Sequence, residues 1–158
     1  MVKLSWPATD DALLALAWSW VDVLAEGDYE RVFREIGFAR AFGGGADAIR
    51  REIERYRDAV HFPTETVFRV TDWRTAKGGN PERAVRVQRF VPTESLPILA
   101  ALDIYLPLNG RWSQLQVSFV AFVDHDDQSK AVFWLEDFWS PQDQEAFNGK
   151  NANPAASQ

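Results

Sequence analysis

Residues 99–123 read LAALDIYLPLNGRWSQLQVSFVAFV, two long runs of alternating side chains joined by Asn109-Gly110. Both turn residues tolerate a positive φ, and this dipeptide between alternating runs is the strongest short hairpin signal a sequence offers. A two-residue turn sets Leu106 opposite Ser113, Ile104 opposite Leu115 and Leu102 opposite Val117. Phe119, Ala121 and Val123 continue that apolar face. The other face carries Asp103, Tyr105, Gln114, Gln116, Ser118, Val120 and Phe122, with Asp103 as its sole charge. A solvated sheet face normally carries more charge, so amides, hydroxyls and large rings mark a surface that is covered part of the time. The expectation is a symmetric homodimer with Tyr105, Gln114, Gln116 and Phe122 at the contact. The competing arrangement folds residues 140–148 back over the face within one chain.

Beyond the hairpin, the fourth strand runs into Asp124-His125-Asp126-Asp127, and a fifth, KAVFWLEDFW, leaves it at Lys130. Aspartates suit a turn because their side chains bond their own backbone. A calcium loop needs a DxDxDG spacing with a distant Glu, which is absent, so these four residues read as a turn and no metal site is expected. The parity of that turn decides the fifth strand. An even count puts Trp134 and Glu136 on the core face; an odd count puts Phe133, Leu135 and Asp137 there. Either register sends one carboxylate, Glu136 or Asp137, toward the apolar side, where it would be paired, raised in pKa or bordering a wet cavity.

Ahead of the hairpin, the period of two extends back through TVFRVTDWR (66–74) and RAVRVQRFV (83–91). The first 60 residues have helical spacing instead. Thr9 or Asp10 caps a helix that runs to Glu26, with Leu13, Leu16, Ala17, Trp20 and Leu24 on one stripe and a second apolar stripe beside it. Asp28 caps a second, shorter helix. A third is read over ADAIRREIERYRDA (46–59), with Ile49, Ile53 and Tyr56 on one side and Pro63 beyond it. A last short helix begins near Ser140-Pro141. The end, NGKNANPAASQ, has the small, polar composition of disorder, giving one domain over 1–148 and a tail over 149–158.

Composition narrows the function classes. The chain has 158 residues, a net charge of −6, no Cys, seven Trp and eleven Phe. Without Cys there are no disulfides, thiolate metal sites or Cys nucleophiles, and the cytoplasm is the expected compartment. The acidic balance argues against a nucleic-acid surface, although residues 50–89 carry ten basic against six acidic groups. No apolar run reaches the ~18 residues a membrane span needs. Gly43-Gly44-Gly45 lacks the flanking spacing of a phosphate-binding loop. His61, at a helix end, and His125, in the turn, read as structural, and no Ser-His-Asp arrangement is legible.

The stretch LALAWSWVDVLAEGDYERVFREIG, an amphipathic helix broken at Gly27-Asp28-Tyr29 before a shorter one, resembles the opening of the nuclear transport factor 2-like superfamily. The order of helices followed by a long sheet is similar too, over roughly residues 8–140. The resemblance implies an α+β cone: N-terminal helices packed in the concave side of a strongly curved, mostly antiparallel sheet, with an apolar pocket between them. Isomerases of that fold use a Tyr with two carboxylates, a pattern this chain does not reproduce.

Together these readings give an expected small-molecule pocket lined by Trp20, Tyr56, Phe119 and Glu136 or Asp137, with an apolar ligand and no cofactor. The inward acid would serve as a general base or as an anchor. The alternative is a non-enzymatic, immunity-type inhibitor that presents Asp124–Asp127 to a basic protein partner.

Overall fold

The structure is a computed structural model that describes residues 1–38, 44–78 and 85–143. The fold is α+β. Helices α1 (Asp10–Ala25), α2 (Tyr29–Glu35) and α3 (Gly45–Arg55) pack on a five-stranded antiparallel sheet. Its strands are β1 (Val2–Ser5), β2 (Val85–Arg89), β3 (Ile98–Leu108), β4 (Arg111–Val123) and β5 (Lys130–Trp139), in the order β1-β5-β4-β3-β2. The sheet is open and not strongly curled, which corrects the expected strongly curved one. No helix among the described residues is long and apolar enough to cross a membrane.

Local chemistry sets the helix ends. Thr9 accepts the Ala12 amide at 3.2 Å, and Asp28 accepts the Arg31 amide at 2.9 Å, so each helix starts on a side chain that satisfies a free N–H. Gly27, at φ 81°, makes the break between them at a backbone angle that glycine adopts without strain. α3 stops at Arg55, earlier than the helical spacing predicts, because Tyr56 turns to ψ 139°. Leu13, Ala17, Trp20, Val21 and Leu24 of α1 are buried against the sheet.

The β3–β4 hairpin closes as expected. Leu108 pairs with Arg111 across Asn109 (φ 49°) and Gly110 (φ 81°). Beyond Pro107 the register departs from a simple ladder: Ile104 pairs with Val117, not Leu115, and Leu102 pairs with Phe119, not Val117. Ser113 occupies the irregularity, donating its hydroxyl to the Leu106 carbonyl at 2.7 Å and accepting the Leu115 amide at 3.1 Å. The slip is two residues, so every side chain keeps its face. Leu102, Ile104, Leu115, Val117, Phe119 and Ala121 are all buried.

Two further readings are corrected. Residues 66–74 do not form a strand; they touch β3 through a single Val70–Leu108 bridge. Asn109 holds this loop by accepting the Arg69 amide and donating to the Val67 carbonyl, while Trp73 and Arg74 bond Asp22 on α1. Trp73 lies between the Trp18 ring (4.6 Å) and the Arg74 guanidinium (4.4 Å), so its side chain pins the loop to α1 and not to a sheet edge. The other correction is β1, which the sequence reading passed over. Its four residues pair with β5 from Val2–Phe133 to Ser5–Lys130. Residues 141–143 begin a helical turn, as expected. The tail over 149–158, residues 144–148 of the segment expected to fold over the sheet, Gly43 of the glycine loop and residues 83–84 of the expected second strand lie outside the described residues.

Candidate functional site

The fifth strand decides what kind of site this fold offers. Phe133 pairs with Ala121 and Leu135 with Phe119, both on the core face. The register then shifts: Asp137 pairs with Ser118 and Phe138 with Val117. Glu136 is the extra residue of a β-bulge, which flips the parity of everything after it. Phe138 therefore enters the core, 3 % exposed, and Asp137 joins the outer face. Glu136 accepts the Trp134 indole N–H at 3.1 Å, on that same outer side. Neither carboxylate points into the core, which corrects the expectation that one of them must.

The remaining pocket residues are packed. Phe119, 0 % exposed, stacks on Phe133 at 5.3 Å and meets Trp20 edge-on at 5.2 Å. Trp20 also touches Phe138, and its indole N–H finds no acceptor among the described residues. Tyr56 is buried elsewhere, edge-on to Phe62 and Phe68. The structure thus brings Trp20 and Phe119 together and leaves Tyr56, Glu136 and Asp137 apart from them.

The outer face divides into two regions along β4. At one end Tyr105, Gln114 and Gln116 border a cavity of about 210 Å³ that Trp139, Ser140 and Pro141 of the same chain help to enclose. At the other end Phe122 and Trp134, with ring centroids 4.6 Å apart, border an apolar groove of about 600 Å³ with Pro97, Val123 and Val132. Lys3 and Asp124 form part of its rim.

The Asp124–Asp127 segment is the β4–β5 loop, and its charges are largely met within the chain. Asp124 accepts the Asp126 amide, Asp127 accepts the Ser129 amide and hydroxyl, and Lys130 sits 3.0 Å from Asp127. Asp124 is buried, against expectation for a turn tip, because Lys3 of β1 reaches it at 2.7 Å. That hydrogen bond holds the Asp124 carboxyl below its ordinary value, burial opposing, and raises the Lys3 ammonium. The Ser129 hydroxyl and Lys130 lower Asp127 to about 2. Among the described residues no group of three or more His, Asp or Glu side chains is placed to hold a metal ion.

A further cluster went unread in the sequence. Tyr56 donates its hydroxyl to Asp58 at 2.7 Å and accepts the Gln114 amide at 3.1 Å. Asp58 also accepts the His61 amide at 2.9 Å and faces the His61 Nδ1 at 3.0 Å. The Asp58 side chain is 8 % exposed and that of His61 50 %. Burial pushes the Asp58 carboxyl up, but the bonds from His61 and Tyr56 outweigh it and hold the group below its ordinary value. Burial and the Asp58 carboxylate raise the Tyr56 hydroxyl far above the usual phenol range. The signal that could have found the cluster is the spacing Tyr56-x-Asp58-x-x-His61 just before Pro63.

No family model matches the chain, and neither a curated protein nor a solved structure matches it.

Proposed function

We propose that this chain is a ligand-binding domain of the nuclear transport factor 2-like type that takes a small apolar molecule on the outer face of its sheet. The groove between Phe122 and Trp134 carries the proposal. Its volume of about 600 Å³ suits a small-molecule site, and its walls are predominantly apolar with few polar groups at the rim. At the rim Lys3 pairs with Asp124 at 2.7 Å, and the Asp126 side chain stands exposed beside them. Three consecutive helices between the first strand and the other four of an antiparallel sheet, with Asp28 capping the second, support the family assignment. The interior, filled by Trp20, Phe119, Phe133 and Phe138, favours the outer site over a cone pocket. A sequence without Cys suits the cytoplasm.

The test is titration with N-phenyl-1-naphthylamine, an apolar dye that brightens when buried. Saturable one-site brightening that Trp134→Ala abolishes and Trp139→Ala leaves intact is the expected result. Brightening that survives in a folded Trp134→Ala protein overturns the assignment.

A homodimer through the same face is a second reading, favoured by the apolar continuity of Val120, Phe122, Val132 and Trp134 across β4 and β5. Val120 is only 7 % exposed within one chain, so the contact would rest on the two rings. Sedimentation at tens of micromolar decides it: Phe122→Glu should turn a dimer into folded monomers, and a monomeric unmodified protein ends this reading. The acidic-inhibitor alternative gains little from a loop whose Asp124 and Asp127 are both paired with lysines.

A further inference from the structure

The Tyr56–Asp58–His61 cluster opens on a separate cleft of about 430 Å³, at the far end of β4 from the groove. Ala59, Val60 and Pro141 give it apolar walls, and Gln114 lines it as well. An ionised Asp58 carries no proton, so it can only accept from His61, which fixes the ring as its Nδ1–H tautomer. The Nε2 lone pair is then the free end of a half-exposed ring. Tyr56 spends its hydroxyl proton on Asp58 and so keeps the carboxylate aligned behind the imidazole.

We propose that this cleft is an acid–base site for hydrolysis of small uncharged esters, with His61 as the general base and Asp58 and Tyr56 as positioning residues. A water attacks the ester carbonyl carbon while its proton passes to His61 Nε2, forming a C–O bond and a tetrahedral oxyanion. Gln114 lines the same cleft, and the proposal assigns its side-chain amide to stabilise that oxygen. The C–O bond to the leaving alcohol then breaks, and the alkoxide takes the proton back from His61. Ester and water become acid and alcohol, and the imidazole ends neutral. No cofactor enters the balance. The other charged groups near the cleft are Arg57, whose guanidinium caps the Glu54 and Tyr56 carbonyls, and the Arg55–Glu52–Asp143 pairs of the adjoining cavity.

Asp58 also caps the turn by accepting the His61 amide, so a structural role must be separated from a chemical one. The experiment follows p-nitrophenyl acetate and butyrate hydrolysis by the full chain against free imidazole at equal concentration. The proposal expects a pH-dependent second-order rate at least about 100-fold above imidazole and lost in His61→Gln. Asp58→Asn should lower the rate and change the shape of that pH profile, which loss of a turn cap alone would not do. Where Asp58→Asn fails to fold, nitrogen NMR of the unmodified protein takes its place, with Nδ1–H expected on His61. A rate no faster than that of His61→Gln, or an Nε2–H tautomer, overturns the proposal.

Discussion

Replacing Tyr56 with Phe removes one oxygen atom and two hydrogen bonds while the ring keeps its contacts to Phe62 and Phe68. One lost bond goes to a carboxylate whose side chain is 8 % exposed, so solvent screens it little. A hydrogen bond to a charged group contributes about 1.5–3 kcal/mol, and leaving the Gln114 amide without its acceptor adds about 1 kcal/mol. The expected loss is therefore about 3 kcal/mol, or roughly 6–12 °C in Tm for a chain of this size. Urea unfolding followed by Trp fluorescence measures it. A loss under about 1 kcal/mol at pH 7 would mean that water already replaces the hydroxyl, and the argument for a closed network would fail.

The same variant has a pH signature. The Asp58 carboxyl is held below its unfolded value of about 3.9, so its stabilisation is complete above roughly pH 5 and disappears as pH falls through the folded value. The stability gap between Tyr56→Phe and the unmodified protein should stay constant near neutrality and narrow below about pH 4. The Tyr56 hydroxyl is raised, so its contribution is present below about pH 10 and lost above it, and Tyr56→Phe should flatten the alkaline limb.

Trp20→Phe tests the filled interior: removing an indole N–H that has no acceptor among the described residues relieves a cost of about 1–3 kcal/mol, offsetting the lost ring area. The net change should stay within about 1 kcal/mol by urea unfolding, and a larger loss would reveal an interior acceptor for that N–H. Asp22→Asn breaks the paired bonds to Arg74, whose pull holds the Asp22 carboxyl below its ordinary value. With this pair partly exposed, global stability should fall by only about 1 kcal/mol, while hydrogen exchange in residues 71–76 speeds up several-fold. Lys3→Met should move the Asp124 carboxyl upward in an NMR titration, because the bond that lowers it is gone, and should raise exchange in β1. An unmoved Asp124 would show that the β4–β5 loop backbone alone sets its charge.

Periodicity and turn chemistry carried the hairpin, the first two helices and the inward set from Leu102 to Ala121, because these rest on local rules repeated over many residues. What it missed was set by single side chains acting at a distance. Nothing in TVFRVTDWR announces that Trp73 and Arg74 will bond Asp22, fifty residues away, in preference to a strand partner. VKLS is too short for its alternation to register against a following Trp-Pro, and only the free edge of β5 makes a strand of it.

The site was hidden by one misplaced helix end. Inside a continuous helix over 46–59, Tyr56 and Asp58 would be two positions apart and would face different ways. Stopping at Arg55 lets the extended Tyr56 backbone swing Asp58 under the phenol and carry His61 behind it. Parity settled the rest. The irregularity at Ser113 slips the ladder by two residues and leaves every inward side chain inward. The bulge at Glu136 slips it by one, and that odd step keeps Asp137 out of the core, brings Phe138 in, and leaves the interior with rings where a polar anchor was expected. An interior closed on Trp20, Phe119 and Phe138 cannot receive a ligand without unpacking three aromatic side chains, at about 3 kcal/mol or more for each one displaced. Binding is therefore cheaper on the outer face, where Phe122 and Trp134 are only partly buried and no core contact has to be broken.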